Sequence, residues 1–349
     1  MSMQLAAAVK KLVIHGQLHA GDVLPGIYEL AAQCGSSVKV ARRALELLAR
    51  DGWTVPQRGV GSVVADCWAD SHDAGRVLMY VRDTGWSYYT AKFVSAFSER
   101  IRSAGYGLTT VSAGGRSEAE PCRRMEALLE ERWSLVLLMG GGDRVRQLAA
   151  AAGLPFVLIG DGAKVAPCDA SGCMGCVQIY NGKALPQFIR ACASRNVRRV
   201  VQFLYDEGAF DVAQTLSHFG VEVKTVRVSR RSTPEDVSHG ALHAMRQFLG
   251  RRKSRDDLPD VFLFTDDYVA QGALLALALA GIRVPEDVAV VTHSNKGLGP
   301  VWAKPLTRLE MDPVAHGREV ANVVVGPPKS GAFPPNLVLG SVWKNGATF

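Results

Sequence analysis

Apolar residues recur along the first 50 positions with the period of amphipathic helices. Leu5, Val9, Leu12 and Val13 share one face of a first helix; Ile27, Leu30, Ala31 and Cys34 define a second; Ala41, Ala44, Leu45 and Leu48 define a third. Gly35-Ser36-Ser37 separates the last two. The glycine permits the turn, and Ser37 suits the N-cap of the helix it precedes. Residues 53–64 then read as two short strands around the tip Arg58-Gly59-Val60-Gly61. Glycines there allow a tight turn and a close backbone approach to phosphate or minor groove. Three helices and a β-hairpin make a winged helix-turn-helix.

Residues 66–75 are polar and aperiodic and read as a linker. Beyond them strand and helix patterns alternate. The strands expected are 76–81, 108–111, 135–139, 156–159, 177–180, 200–204, 223–228, 261–264 and 288–292, with amphipathic helices between most of them, such as 91–104 and 237–249. Repeated βα units imply parallel sheets covered by helices on both faces. This many strands calls for two sheets, with a cleft at the carboxyl ends of their strands. The fold class expected is therefore α/β: an N-terminal winged helix-turn-helix plus a two-lobed domain of two parallel sheets flanked by helices.

Composition narrows the class. Of 349 residues, 48% are hydrophobic and 21% charged, which marks a globular chain. The longest apolar run, 269–280, is broken by Gln271 and Gly272 and is shorter than the roughly 20 residues that span a bilayer. The N-terminal stretch lacks a signal-peptide cleavage site. Seven cysteines, an odd number, argue against a full disulfide framework. These features lead to the expectation of a cytoplasmic protein with no membrane partner. The formal net charge is +7; residues 1–65 carry seven basic and four acidic groups, so that segment is disproportionately basic.

The third helix carries the first candidate chemistry. Lys39, Arg42, Arg43 and Glu46 lie opposite its apolar stripe. In a helix-turn-helix the N-terminal part of this helix enters the major groove, where arginines read guanine edges or hold phosphates. Gly21-Asp22-Val23-Leu24-Pro25, Glu29-Leu30-Ala31, Ser37, Arg42, Ala44-Leu45, Leu48, Gly52 and Arg58–Val64 together resemble the GntR family of bacterial repressors. The resemblance implies double-stranded operator DNA as a partner and Tyr28, Ser37, Val38, Lys39, Arg42, Arg43, Arg58, Gly59 and Gly61 as the contacting residues. Four positions depart from it. Gly26 and Tyr28 stand where the family has Ser-x-Arg, Val60 replaces a basic residue at the tip, and Val38 replaces a polar one.

The larger segment carries a second resemblance. Residues 258–273, 281–291, Pro305-Leu306-Thr307 and Gly317 are similar to the sensor domain of the LacI/GalR family, and residues 155–161 and Asn181-Gly182 fit too. The joint resemblance is to arabinose-type sugar repressors. It implies a ligand-responsive regulator, a homodimer, and a sugar-like small molecule bound between lobes; it implies no catalysis and no cofactor. The effector domain expected is 76–349, with lobe 1 at about 76–165 and 295–326 and lobe 2 at about 166–294 and 327–349. Trp86, Tyr88 and Tyr89 are placed to stack on a sugar ring. Asp266 aligns with a position that contacts ligand hydroxyls, and Asp161, Asn295 and Gly141 fall in cleft-facing loops or strand ends. Phe210 and Ser294 stand where many sugar sensors carry arginine and aspartate.

Other patterns point elsewhere. Cys168, Cys173, Cys176 and Cys192 approach an iron–sulfur or zinc spacing, but the fourth ligand is too near and the resemblance expects no metal. His239 and His243 lack the glutamate of a metalloprotease motif, having Gly240 after the first histidine. Gly140-Gly141-Gly142-Asp143 lacks the phosphate-loop lysine. Two rival readings follow: an α/β enzyme with an appended DNA-binding head, which no catalytic motif supports, and a DNA binder whose cleft no longer senses.

Overall fold

A computed structural model describes residues 2–14, 18, 21–50, 53–65, 75–82, 87–112, 119–140, 142–161, 172–180, 182–205, 212–228, 233–252, 254, 257–325 and 334–349. Nearly all of the expected linker, and Trp86, Gly141, Asn181, Phe210 and Cys168, lie outside the described residues.

The head begins with α1 (Ser2–Ile14), α2 (Ile27–Gln33) and α3 (Val38–Arg50), followed by β1 (Thr54–Gln57) and β2 (Gly61–Val64). Ser37 caps α3: its Oγ accepts from the Val40 backbone N at 3.3 Å. Leu5, Val9, Leu30, Ala31, Ala41, Ala44, Leu45, Leu48 and Trp53 close one small core. Two expected core positions are not core. Leu12 is 40% exposed, and Cys34 ends α2 as its exposed C-cap. The hairpin pairs Thr54 with Val64 and Gln57 with Gly61. Leu24 N donates to Ser62 O at 2.8 Å, so the stretch before α2 is stitched to the wing.

The body contains two six-stranded sheets. β3 (Gly75–Val81), β4 (Tyr106–Ser112), β5 (Leu135–Met139), β6 (Phe156–Asp161), β7 (Cys173–Tyr180) and β13 (Asn336–Gly340) form the first, in the order β13-β7-β6-β5-β3-β4. All of its pairings are parallel. β8 (Arg199–Leu204), β9 (Glu222–Arg227), β10 (Val261–Phe264), β11 (Ala289–Asn295), β12 (Thr307–Met311) and β14 (Val342–Lys344) form the second, in the order β14-β12-β11-β10-β8-β9. Here only the β12–β14 pairing is antiparallel. Both sheets are buried on both faces. In β5, Leu135, Leu137 and Met139 enter one core while Val136 and Leu138 enter another. In β10, Phe262 and Phe264 face away from Val261 and Leu263. That is why these strands read as unbroken apolar runs.

Helices cover the sheets: α4 (Tyr88–Ser103), α5 (Ala119–Leu128), α6 (Asp143–Ala152) and α11 (Pro313–Val325) on the first; α7 (Ala184–Ser194), α8 (Ala213–Ser217), α9 (Pro234–Gly250) and α10 (Asp267–Leu279) on the second. Side chains set several starts. Ser87 Oγ accepts from Thr90 N at 3.3 Å, and Thr233 Oγ1 from Asp236 N at 3.2 Å ahead of Pro234. Glycine lets two helix pairs touch backbone to backbone: a Cβ on Gly272 would lie 1.9 Å from Ser238 O, and one on Gly317 2.4 Å from Phe93 O.

The sheet orders correct the lobe boundaries. β7, assigned to lobe 2, completes the first sheet; β12, assigned to lobe 1, belongs to the second; β13, assigned to lobe 2, is an edge of the first. The chain therefore crosses between sheets after β7, after β12 and after β13. β12, β13 and β14 were not among the strands expected, because residues 307–311 intersperse charges, residues 336–340 are bounded by Asn336 and Gly340, and β14 has only three residues. Two crossings abut: a Cβ on Gly182, whose φ is +47°, would meet the Gly340 Cα at 2.7 Å. Among the described residues no helix is long and apolar enough to cross a membrane.

Candidate DNA-binding face and effector cleft

The exposed side of α3 is opposite its four buried positions. Ser37, Lys39, Arg42, Arg43 and Glu46 are all exposed there. Arg43 Nη1 meets Glu46 Oε2 at 3.0 Å, so one arginine is already engaged while Arg42 projects on the same surface. Val38 is half-buried and packs against the core; it shapes the helix start more than it offers a polar contact. Tyr28, Arg58, Gly59 and Gly61 are exposed. Gly59 (φ +81°) and Gly61 (φ +122°) both adopt backbone that side chains disfavour, which makes the turn at the wing tip.

The cleft is built from the carboxyl ends of the strands. Asp266 follows β10 and caps α10, its Oδ1 accepting from Tyr268 N at 2.8 Å. It keeps partial exposure, yet desolvation by the surrounding protein, reinforced by Asp267, pushes its pKa up to about 6. Asp267 is buried. Its Oδ2 accepts from Asn295 N and Nδ2 at 2.8 and 2.9 Å. Burial raises its pKa, against the opposing pull of those Asn295 bonds. Asp267 Oδ1 and Ser294 Oγ are both buried, and a hydrogen bond from Ser294 adds to the pull that opposes burial at Asp267. Both face Gly299, whose Cβ would lie 3.4 and 3.3 Å from them. The adjacent His293 is held neutral, burial pulling its pKa down to about 3.

The first lobe meets this wall through Tyr88. Its hydroxyl donates to Lys296 O at 3.2 Å, and Lys296 is pinned by Asp312 at 2.6 Å. Tyr88 is also among the groups that raise the pKa of Tyr268, after burial and the two aspartates. The structure thus brings together Tyr88, Asp266, Ser294 and Asn295. Tyr89 differs: its hydroxyl is 2.9 Å from His316 Nδ1 and its ring stacks on Phe93 at 6.1 Å, so it is tied into the first lobe. Asp161 ends β6 as expected. Tyr268 and Asp267 were missed; an aromatic and a carboxylate in the first turn of a cleft helix were the available signal.

The discounted patterns keep their places apart. Cys173 and Cys176 lie on β7, where Cys176 donates to Pro335 O at 3.7 Å. Cys192 packs inside the other lobe, where burial pushes its thiol up to about 12. Among the described residues no group of ligating side chains has a metal-binding arrangement. His239 and His243 are exposed on α9. A separate cavity of about 460 Å³, lined by Lys224, Arg227, Phe248 and Arg251, sits on the outer edge of the second sheet, away from the cleft.

Head and body together have the architecture of a winged helix-turn-helix joined to a two-lobed binding-protein fold. Residues 1–64 match the family described as bacterial regulatory proteins, gntR family, and residues 185–339 match a periplasmic binding protein-like domain. The chain thus joins a gntR-type winged-helix head to a periplasmic binding protein-like body. The arabinose metabolism transcriptional repressor of Geobacillus stearothermophilus is 22% identical, over 93% of this chain and 90% of its own length. The HTH-type transcriptional repressor PurR of Haemophilus influenzae (strain PittEE) is 29% identical, but only over 77 residues, 22% of this chain and 23% of its own length. Among solved structures, the cellobiose complex of the transcriptional regulator CelR superposes with a TM-score of 0.60 at 20% identity, over 93% of this chain and all of that one. These proteins are regulators, not enzymes.

Proposed function

We propose that this chain is a ligand-responsive transcriptional repressor. Residues 1–65 bind operator DNA, two copies forming a homodimer that presents two heads. A small polyhydroxylated molecule, sugar-like in its hydrogen bonding, binds between the lobes. The observation that carries this reading is the union, in one chain, of a GntR-type head with a two-lobed body whose cleft wall carries Asp266 and is met by Tyr88 at Lys296. The carboxylate accepts from two hydroxyls and the ring lies along a C–H face. Operator half-sites sit about one helical turn apart, so closure of the lobes that shifts the heads by a few ångströms removes the fit. The ligand acts by binding one arrangement better than the other.

One observation favours a narrower cleft chemistry than in ordinary sugar sensors. Ser294 is fully buried and Asn295 is committed to Asp267, which leaves Asp266 as the carboxylate at the mouth. The test is a thermal-shift screen of the purified chain against neutral sugars, sugar acids and sugar phosphates. A ligand at 100 times its dissociation constant stabilises the fold by about 2.7 kcal/mol. A hit that also releases a duplex carrying the chain's own promoter supports the repressor reading. DNA binding that ignores every ligand of the cleft replaces it with a non-sensing DNA binder.

A further inference from the structure

The turn between α5 and β5 carries a cation that the body does not use. Arg132 lies there, between Glu131 and Trp133. Both neighbours are fixed: Glu131 pairs with Arg76 at 2.9 Å, Arg76 stacks over the Trp133 ring at 4.3 Å, and Trp133 Nε1 donates to Leu128 O at 2.6 Å. The Arg132 guanidinium instead points to the head. Its central carbon stands 3.5 Å over the ring centroid of Trp53, and Nη2 approaches Trp53 O at 3.4 Å. Trp53 is itself buried in the head core, at the foot of the wing.

We propose that the turn Glu131–Trp133 is a docking surface for the chain's own winged-helix head, with Arg132 as the residue that positions it. This deepens the repressor reading above and rests on it for its functional consequence. The turn precedes β5, so the contact lies at the amino end of the first sheet, opposite the cleft. It is the place where a movement of the first lobe reaches the wing directly.

The physics makes the contact reversible. Among the described residues Arg132 has no carboxylate partner, and its Nε is buried without a hydrogen bond. Desolvation alone pulls its pKa down to about 10. A buried cation gains on an aromatic face but loses hydration that no counter-ion restores. Gain and cost oppose each other at Arg132, so this contact holds the head only weakly and a modest bias from the lobes can break it.

The test uses the full chain and two readouts. Small-angle scattering reports whether the head is docked; binding to the chain's own promoter duplex, across a salt series, reports DNA recognition. Arg132→Gln keeps a flat polar group without charge, and Arg132→Lys keeps charge without the planar face. Both are expected to retain the wild-type melting temperature of the body and to give a larger radius of gyration, with promoter affinity shifted about three- to thirtyfold. Scattering profiles identical to wild type for both variants overturn the docking surface, even if DNA binding is intact. Should one variant fail to fold, the other decides. Expanded profiles in a protein whose wild type ignores its promoter keep the docking contact and remove the repressor reading instead.

Discussion

Asp267 Oδ2 accepts two hydrogen bonds from one residue, Asn295, through its backbone N at 2.8 Å and its Nδ2 at 2.9 Å. The pair ties the first turn of α10 to the end of β11 and so fixes the cleft wall of the second lobe. Asn295, expected to face a ligand, uses its backbone N–H and one Nδ2 hydrogen on Asp267. Asn295→Ala removes the side-chain bond to a buried carboxyl, and hydrogen bonds to charged groups are worth about 1.5–3 kcal/mol. The expected result is an unfolding free energy lower by that amount in urea titrations, with a correspondingly lower midpoint. An unchanged midpoint means the pair is not structural.

Asp266 makes stability depend on pH. Its folded pKa, about 6, lies above the ordinary value of 3.8. The folded state therefore holds the proton more tightly than the unfolded chain does. The associated stability is present below about pH 4 and is lost as pH rises through 6. Asp266→Asn keeps a capping side chain on α10 and removes the charge. It is expected to be more stable than wild type by about 1–3 kcal/mol at pH 8 and equal to it near pH 4. Urea titrations at both pH values measure this; a difference that ignores pH contradicts the assignment. The same variant is expected to weaken a polyol ligand, since the amide offers one acceptor oxygen in place of two.

The abutting crossings at Gly182 and Gly340 leave no room for a side chain. Gly182→Ala puts a Cβ 2.7 Å from the Gly340 Cα and forces a left-handed backbone on alanine. The backbone alone costs about 1–2 kcal/mol, and overpacking adds about 1–3 kcal/mol. A fall in melting temperature of several degrees is expected, together with altered ligand affinity if the lobes pivot there. A variant with wild-type melting would show that the crossings yield easily.

On the DNA face, Arg42 and Arg43 are expected to differ. Arg43 must give up Glu46 to reach DNA, whereas among the described residues no such ion pair holds Arg42. Arg42→Ala is expected to cost about 1–3 kcal/mol of promoter binding if it reads a base. Glu46→Ala is expected to strengthen binding at low salt by freeing Arg43. Fluorescence anisotropy with a promoter duplex measures both, and an unaffected Arg42→Ala affinity moves the recognition face elsewhere. Gly59→Val, at a φ of +81°, is expected to disturb the wing; full retention of binding shows that DNA does not touch it.

The elements of this protein were legible because their signals are local. Ala41, Ala44, Leu45 and Leu48 meet on one side of a helix through spacing alone, and all four are buried. Leu135–Met139 reads as a strand from five consecutive apolar residues. Cys34 misled because the period continued for one residue after the helix had ended at Gln33. Nothing local says which sheet a strand joins. β7 and β8 are both apolar and lie in succession, yet β7 pairs with β6 and β13, while β8 pairs with β10 and β9.

The same division holds at the sites. Side-chain type marked Asp266 and Tyr88 as candidates, and the fold brings them to one wall. It could not show that Tyr89 is bonded to His316, 227 residues away, or that Arg132 reaches Trp53 across 79. The sequence by itself determined the helices, most of the strands, and the order of head and body, since each follows from residues a few positions apart. The tertiary structure alone decided the membership of the lobes, the partners of the cleft residues and the seat of the head, because those depend on hydrogen bonds and packing between segments that only folding makes neighbours.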